Sequence, residues 1–275
     1  MGEYLKFVDV TKCTGCRACM VACKNWNDLP AEIEEFDGSY QSHKKTTANT
    51  WNVLTFTEYE NSEGSFEWLF RHSACMHCTD AACEKVCPEE AISHTQFGSV
   101  IIDTDKCVGC GYCVQNCTFG IVQLTTVKDD DGKERRIAQK CTLCTDRIEE
   151  GLRPACATAC LTGAITFGEK EQMLQMAKER LTNVQSQFPN ANIYNPSGIN
   201  GTHTIYLLAE QPSVYGLPTN PAVPFSAKLW KDVAQPVGKS LIGVSAMAVV
   251  GAFVANSLFN KNHEDTTGGE DDEQK

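Results

Sequence analysis

The sequence predicts an α+β fold of two pseudo-symmetric modules built around cysteines, with inserted β-hairpins, followed by an extended arm and one transmembrane helix. Three observations carry this prediction. The 275 residues include sixteen cysteines in four closely spaced groups. Short apolar runs typical of strands separate these groups. An uncharged stretch of twenty residues lies near the C-terminus.

The cysteines fall into four groups of four, with none left over. Group one is Cys13, Cys16, Cys19 and Cys23; group two is Cys75, Cys78, Cys83 and Cys87; group three is Cys107, Cys110, Cys113 and Cys117; group four is Cys141, Cys144, Cys156 and Cys160. Groups one and three match the bacterial ferredoxin run C-x2-C-x2-C-x3-C. The pattern predicts two bacterial-ferredoxin-like modules, each holding two [4Fe-4S] clusters, and sixteen thiolates suffice for four clusters.

The spacing has a physical reason. Steps of C-x2-C let one loop wrap a cluster and present three thiolates to it. The fourth cysteine is expected to begin a helix that leads away, and to ligate the other cluster of the pair. Gly15, Gly109 and Gly111 are expected to let the loop backbone approach sulfur closely, so that amides can hydrogen-bond to it.

Two other uses of cysteine are open at this stage. A disulfide scaffold is typical of short secreted chains, but residues 1–12 lack the apolar stretch of a signal peptide. A structural zinc site uses two C-x2-C pairs, or one pair with histidines, and group four by itself suits it best. A remote alternative is therefore a membrane-anchored structural zinc protein.

Composition excludes some partners and activities. The formal net charge of -11 disfavours nucleic acid. The sequence shows no nucleotide-binding fingerprint and no nucleophile–base set, so we expect no catalysis by this chain alone.

The elements between the cysteines follow in order. We predict a hairpin within the insertion 24–74, strands at the ends of the modules, a second hairpin turning at Asp131–Gly132, and a surface packing helix. Their ranges are 51–57 and 65–71 for the first hairpin, 98–103 and 163–168 for the single strands, 118–127 with 137–141 for the second hairpin, and 169–181 for the helix.

Two histidines and two tryptophans lie near cysteines. His72 and His77 flank group two, and we expect them to support or pack against the site because the thiols already complete the ligand count. Trp26 and Trp68 are expected in the core and not as electron relays.

The predicted domains follow from these elements. They are a four-cluster domain over 1–189 (outer module about 1–23 and 141–168, inner module about 75–127, β insertion 24–74), a Pro/Gly-rich arm over 190–236, a transmembrane helix over 237–260 and an acidic disordered tail over 261–275. The arm is expected to have little core of its own, with one possible strand at 203–208. The uncharged stretch Ser240–Phe259 matches the roughly 20 residues that span a bilayer. Trp230 and Lys231 suit the interface before it.

The layout resembles the iron–sulfur beta subunits of membrane-bound formate dehydrogenases over nearly the whole chain. Matching pieces include "DVTKCTGCRACMVACKNWND", "EWLFRHSACMHCTDAAC", "CVGCGYCVQNC", "GLRPACATACLTGAITFG" and "IYNPSGINGTHTIYLL". The cluster motifs are shared with subunits of other reductases and some hydrogenases. The arm followed by a single membrane helix narrows the resemblance to formate dehydrogenases.

The resemblance implies a crossed ligand assignment, in which the outer groups pair with each other and the inner groups do likewise. Carried onto this sequence, it joins Cys13, Cys16 and Cys19 with Cys160; Cys141, Cys144 and Cys156 with Cys23; Cys75, Cys78 and Cys83 with Cys117; and Cys107, Cys110 and Cys113 with Cys87.

The resemblance also implies a function. The chain would pass single electrons between a molybdenum- or tungsten-bis-pterin catalytic subunit and a cytochrome b-type, quinone-linked membrane subunit. The same role in a hydrogenase or in a dimethyl sulfoxide or polysulfide reductase is the alternative. Lys228, Lys231 and Lys239 before the helix favour a cytoplasmic domain by the positive-inside rule. The resemblance implies the extracytoplasmic side of the cell membrane, which we adopt.

Overall fold

A computed structural model describes residues 2–36, 38–61, 64–129, 131–231 and 235–237. The strands in these residues are β1 (Tyr4–Asp9), β2 (Val53–Glu60), β3 (Phe66–Ser73), β4 (Ile92–His94), β5 (Val100–Ile102), β6 (Gln123–Lys128), β7 (Glu134–Gln139), β8 (Ile165–Glu169), β9 (Asn192–Tyr194) and β10 (Thr204–Leu208). The helices are α1 (Ala18–Trp26), α2 (Ala82–Lys85), α3 (Tyr112–Asn116), α4 (Thr145–Glu149), α5 (Ala155–Thr158), α6 (Lys170–Val184) and α7 (Phe225–Leu229). The chain divides into two units, Met1–Ala227 and Lys228–Lys275, and the fold below is that of the first unit.

The largest sheet has the strand order β8-β1-β10-β9. Strand β1 pairs parallel with β10 and antiparallel with β8. Because side chains alternate along a strand, Leu5 and Phe7 face helix α6, where Met173 and Ala177 pack on them. The opposite face, which includes Val8 and the alternate residues of β10, packs against the cysteine loops. The sheet therefore separates an apolar helix layer from the cysteine-bearing layer.

Strand β10 lies within the range predicted as an extended arm with little core. Its five residues are all buried, and it sits between β1 and β9 in the middle of the sheet. The predicted strand at 203–208 is confirmed, but its central position is a departure from that expectation. The reason is pairing across a long separation in sequence: Lys6 aligns with Thr204, which local composition does not reveal.

Both predicted hairpins are present. Strands β2 and β3 pair antiparallel from Val53–Ser73 to Glu60–Phe66. Strands β6 and β7 pair antiparallel, with Gly132 donating to the carbonyl of Asp129 in their turn. The predicted helix over 169–181 is α6.

Two modules of similar construction surround the cysteines. In the outer module, β1 pairs with β8 and α1 packs against α5. In the inner module, β4 pairs with β5 and α2 packs against α3. Each module is therefore an antiparallel strand pair with a packed helix pair, as expected for a ferredoxin-like unit.

The two tryptophans are not in the core, so that expectation is wrong. Trp26 is 44% exposed, and its Nε1 donates to Asp146 at 2.7 Å while the Arg147 guanidinium lies 4.1 Å from its ring. Trp68 is 51% exposed on the outer face of β3. Trp26 is exposed because it contacts the charged side chains of Asp146 and Arg147. Trp68 is exposed because alternate residues in this part of β3 face solvent.

The predicted membrane helix over 237–260 and tail over 261–275 lie outside the described residues, apart from Val237. Across the part of the chain that the structure does describe, no helix combines the length and apolar character needed to cross a bilayer.

Candidate metal centre

Short helices place the last two cysteines of each group. Cys19 and Cys23 both belong to α1, while Cys113 lies in α3 and Cys117 caps its C-terminus. The expectation that the fourth cysteine begins a helix is wrong, because the helix begins before it. The C-x3-C spacing is the reason: residues four apart lie on one helix face, roughly 5–6 Å apart at Cβ.

A left-handed residue follows the first cysteine of every group at the same offset of two positions. These residues are Gly15, His77, Gly109 and Leu143, with φ of 73°, 48°, 64° and 60°. The turn directs an amide at the preceding thiol: the N–H groups of His77 and Leu143 donate to Cys75 and Cys141 sulfur at 3.5 and 3.4 Å. The sequence pointed to the two glycines but not to His77 and Leu143, because other residues rarely adopt this conformation.

We divide the sixteen thiols into four sets of four after the crossed assignment that the resemblance implies, each with three members from one group and one from its paired group. Set I is Cys13, Cys16, Cys19 and Cys160; set II is Cys23, Cys141, Cys144 and Cys156; set III is Cys75, Cys78, Cys83 and Cys117; set IV is Cys87, Cys107, Cys110 and Cys113. In every set a charge from the paired group contributes to a raised pKa: Cys160 acts on Cys13, Cys141 on Cys23, Cys117 on Cys78 and Cys87 on Cys113.

Burial is the first cause of the raised pKa in each set, and thiolate neighbours add to it. The pKa of Cys113 is raised to about 12 by burial and then by the charges of Cys107, Cys110 and Cys87. The pKa of Cys78 is raised in the same way by the other three members of set III. In the absence of a bound cation the raised pKa values favour the protonated thiols, and metal binding requires their deprotonation.

Cysteines of adjacent sets share buried apolar clusters. Cys19 of set I packs in one cluster with Cys156 of set II, Cys75 of set III in another with Cys141 of set II, and Cys83 of set III in a third with Cys113 of set IV. These links run in the order I, II, III, IV. The two exposed cysteines are Cys16 in set I and Cys110 in set IV, so the sets at both ends reach the surface.

The last cysteine of each group accepts a hydrogen bond from a residue four or five positions later. The donors are the amides of Ala91, Ile121 and Ile165, at 3.3, 3.4 and 3.3 Å from Cys87, Cys117 and Cys160 sulfur, and the Asn27 side-chain amide, at 3.6 Å from Cys23 sulfur. Such donors stabilise negative charge on the sulfur.

Two buried lysines, which the sequence did not single out, lie beside sets II and III. Lys6 and Lys140 are 0% and 4% exposed. The available signals were slight: Lys6 interrupts the apolar run of β1, and Lys140 immediately precedes Cys141. Lys12 and Lys106 occupy the same position before Cys13 and Cys107 but are exposed, so position in the motif does not reveal burial.

The two histidines make the contacts expected of supporting residues. His77 accepts a hydrogen bond from the amide of Val100 at 3.0 Å through Nδ1. His72 Nε2 lies 3.3 Å from Lys6 Nζ. Burial, followed by the charge of Lys6, holds the pKa of His72 well below its usual value, so this imidazole is neutral and accepts from the ammonium.

The donor set suits [4Fe-4S] clusters. All sixteen cysteines are free of disulfides and form sets of four, and amide N–H groups point at several of the sulfurs. Thiolate ligands with hydrogen-bonded sulfurs are the environment such clusters require.

Comparisons with known proteins agree with this chemistry. Two family models described as 4Fe-4S dicluster domains match residues 12–91 and 66–170. The nitrate-inducible formate dehydrogenase iron–sulfur subunit of Escherichia coli is 42% identical over 240 residues, covering 86% of this chain and 79% of the relative.

Two further relatives share much of the chain. The formate dehydrogenase iron–sulfur subunit of Haemophilus influenzae is 41% identical over 95% of this chain and 85% of its own length. Formate dehydrogenase 2 subunit beta (cytochrome c-553) of Nitratidesulfovibrio vulgaris is 33% identical over 76% and 94%. The predicted [4Fe-4S] clusters are thereby confirmed, and the disulfide and zinc alternatives are set aside.

Proposed function

The chain belongs to the family of formate dehydrogenase iron–sulfur subunits, and on that footing we propose that it conducts electrons in a membrane-bound formate dehydrogenase. A catalytic subunit with a molybdenum- or tungsten-bis-pterin would oxidise formate. Its electrons would leave this chain toward a cytochrome b-type subunit and a quinone. The packing of adjacent cysteine sets in shared buried clusters, with an exposed cysteine in each end set, is the observation that supports this proposal most strongly.

We propose that each cysteine set holds one cluster, following the crossed assignment. Bound [4Fe-4S] clusters supply one-electron redox chemistry. The protein's own part is to fix the sulfurs, to exclude water from sets II and III, and to donate hydrogen bonds to sulfur. Burial of Cys75, Cys141, Cys144 and Cys156 serves the second task.

The crossed assignment is tested by single substitutions. Cys23→Ala is expected to abolish or convert the cluster of group four and to leave the cluster of Cys13, Cys16 and Cys19 intact. Cys160→Ala is expected to do the reverse. Electron paramagnetic resonance of the purified complex separates these outcomes. If Cys23→Ala removed the group-one cluster and spared the other, the crossed assignment would be wrong.

We also propose that Ser240–Phe259 forms a single-pass helix that anchors the complex with its iron–sulfur domain on the extracytoplasmic side. The length and lack of charge of this stretch support the anchor. Ending the chain after Val237 should weaken membrane retention. Protease added to spheroplasts tests on which side of the membrane the iron–sulfur domain lies, and we expect it to digest the domain. A domain protected until the membrane is opened would reverse the orientation.

The first experiment is purification from native membranes in mild detergent. We expect a large pterin-binding subunit to co-purify, by mass spectrometry, and the same fraction to reduce a dye with formate. A different catalytic partner without formate activity would point to a hydrogenase or reductase complex. That result would support the electron-transfer role of this chain but reject formate as the electron donor.

A further inference from the structure

Two lysine ammonium groups are buried where cysteine sets II and III meet. Lys6 extends from the cysteine-facing side of β1 and aligns with Thr204, whose hydroxyl donates to the carbonyl of Cys75 of set III at 3.2 Å. Val8, on the same face of β1, packs in one buried cluster with Cys156 of set II. Lys140 immediately precedes Cys141 of set II, and its Nζ donates to the carbonyl of Val100, which packs in one buried cluster with Cys83 of set III.

The ammonium groups are held by neutral partners. Lys6 Nζ donates to His72 Nε2 at 3.3 Å. Lys140 Nζ donates to the carbonyls of Val100 and Cys141, the latter at 3.2 Å. Among the described residues no carboxylate forms an ion pair with either lysine.

A buried cation without a carboxylate is costly unless other negative charge compensates it. With no carboxylate paired to either lysine, the charge that compensates the two buried ammonium groups would be the negative charge of thiolate-ligated clusters in sets II and III.

We propose that Lys6 and Lys140 are positioning charges that raise the reduction potentials of the two middle clusters relative to the clusters at the ends. Adding one electron makes a cluster one unit more negative, and a fixed ammonium in a water-poor site stabilises that product. The step adds one electron to the cluster and moves no proton. This inference rests on the proposed assignment of sets II and III as cluster ligands.

The buried position of sets II and III explains why an added positive charge would matter for their reduction potentials. Electrons crossing from set I to set IV pass sets II and III, which lie deepest in the protein. A low dielectric makes reduction there unfavourable without compensation. Two buried cations counter that penalty at the junction itself.

The test is a redox titration of the purified complex, monitored by electron paramagnetic resonance, with Lys6→Met and Lys140→Met. Methionine keeps the volume and removes the charge. Each variant should lower the one-electron reduction constant of two of the four clusters about tenfold, equivalent to about 59 mV. Lys6→Arg and Lys140→Arg, which retain the charge, should stay near the wild type.

Lys106→Met is the matched control. Lys106 also precedes the first cysteine of its group, but its side chain is 64% exposed. Solvent screens such a charge, so the potentials should change less than twofold in equilibrium constant. Iron content is measured for every variant, and formate-dependent dye reduction is recorded separately.

Unchanged potentials in iron-replete Lys6→Met and Lys140→Met complexes would overturn the inference. Equal shifts of all four clusters would overturn it as well, because they would indicate a general structural effect. If a methionine variant loses iron, the glutamine variant at the same position is titrated instead, because it also removes the charge. Fewer than four cluster signals in the wild type would defeat the ligand assignment together with this inference, whereas four unshifted signals would defeat the inference alone.

Discussion

At the scale of single residues, the four cysteine groups differ in which group donates a hydrogen bond to the sulfur of their last cysteine. Each group needs an amide directed at a sulfur from the fourth or fifth position after its last cysteine. Backbone amides serve in three groups, whereas group one uses the side chain of Asn27, which also donates to the carbonyl of Cys23 at 2.8 Å. Asn27 is therefore predicted to tune the cluster of set II.

Replacing Asn27 by leucine should lower the potential of that cluster. Losing one hydrogen bond to sulfur of about 1 kcal/mol corresponds to about 40 mV for a one-electron couple. Redox titration followed by electron paramagnetic resonance measures the shift. Asn116→Leu is the control, because the Asn116 amide makes the same bond to a carbonyl four residues earlier without reaching a sulfur. Equal shifts in the two variants would refute the role of Asn27.

Gly109 combines a left-handed backbone with close packing. Its φ is +64°, and a Cβ would lie 2.4 Å from the carbonyl oxygen of Arg136 on β7. Gly120 has nearly the same φ, +65°, but open space around it. The pair therefore separates backbone strain from steric clash.

Gly109→Ala should destabilise the protein by several kcal/mol, whereas Gly120→Ala should cost about 1 kcal/mol from the backbone alone. The larger effect arises because β7 must move away from the loop, which also breaks the bond from the amide of Ala138 to Cys107 sulfur at 3.4 Å. Thermal unfolding and iron content report it. Similar losses of stability in both variants would show that the clash is relieved without cost.

At the scale of elements, strand β10 connects the sheet to the loop of group two. The amides of His203 and Thr204 donate to the carbonyls of His77 and Met76 at 2.9 and 3.0 Å. Tyr206, which is 0% exposed, donates its hydroxyl to the carbonyl of His72 at 2.8 Å. The chain after α6 therefore helps to fix the position of set III.

Tyr206→Phe should reduce stability by about 1–3 kcal/mol, because it leaves the buried carbonyl of His72 without its partner. Thermal unfolding of the iron-replete protein measures the loss. Tyr112→Phe serves as the control, since Tyr112 is 49% exposed. A Tyr206→Phe protein as stable as this control would mean that another donor replaces the hydroxyl.

At the scale of the whole molecule, the cysteine sets occupy the interior, where a chain of this size would otherwise have a larger apolar core. Cysteines of every set line the buried apolar clusters that join the sheet, hairpins and short helices. The inner-module helices α2 and α3 have only four and five residues. Helices this short are not stable by themselves, so bound iron must contribute to the fold.

Removing iron by chelation should therefore lower the Tm of the chain by more than about 10 °C, given that each kcal/mol lost is worth roughly 2–4 °C at this length. Loss of ligand binding removes stabilisation from the folded state alone. Calorimetry before and after chelation measures the change, and restoring iron and sulfide should reverse it. An iron-free chain that melts at the original temperature would contradict this view.

Much of the site was predictable because its signals are local. The four groups, the choice of cysteine as ligand, both hairpins and helix α6 follow from spacing and alternation within a few residues. The ends of the short helices were less predictable. In those helices a C-x3-C step places the third cysteine inside the helix and the fourth one turn later.

Local spacing already specifies the cluster chemistry and the number of ligand groups, because a C-x2-C step encodes how one loop presents its thiols. The neighbours of each set, the place of β10 and the burial of particular lysines depend on the folded molecule. Lys6 pairs with Thr204 nearly two hundred positions away, and Lys140 is buried while Lys106 in the same motif position is not. Burial and long-range pairing depend on the packing of distant elements, and a local pattern carries no record of them.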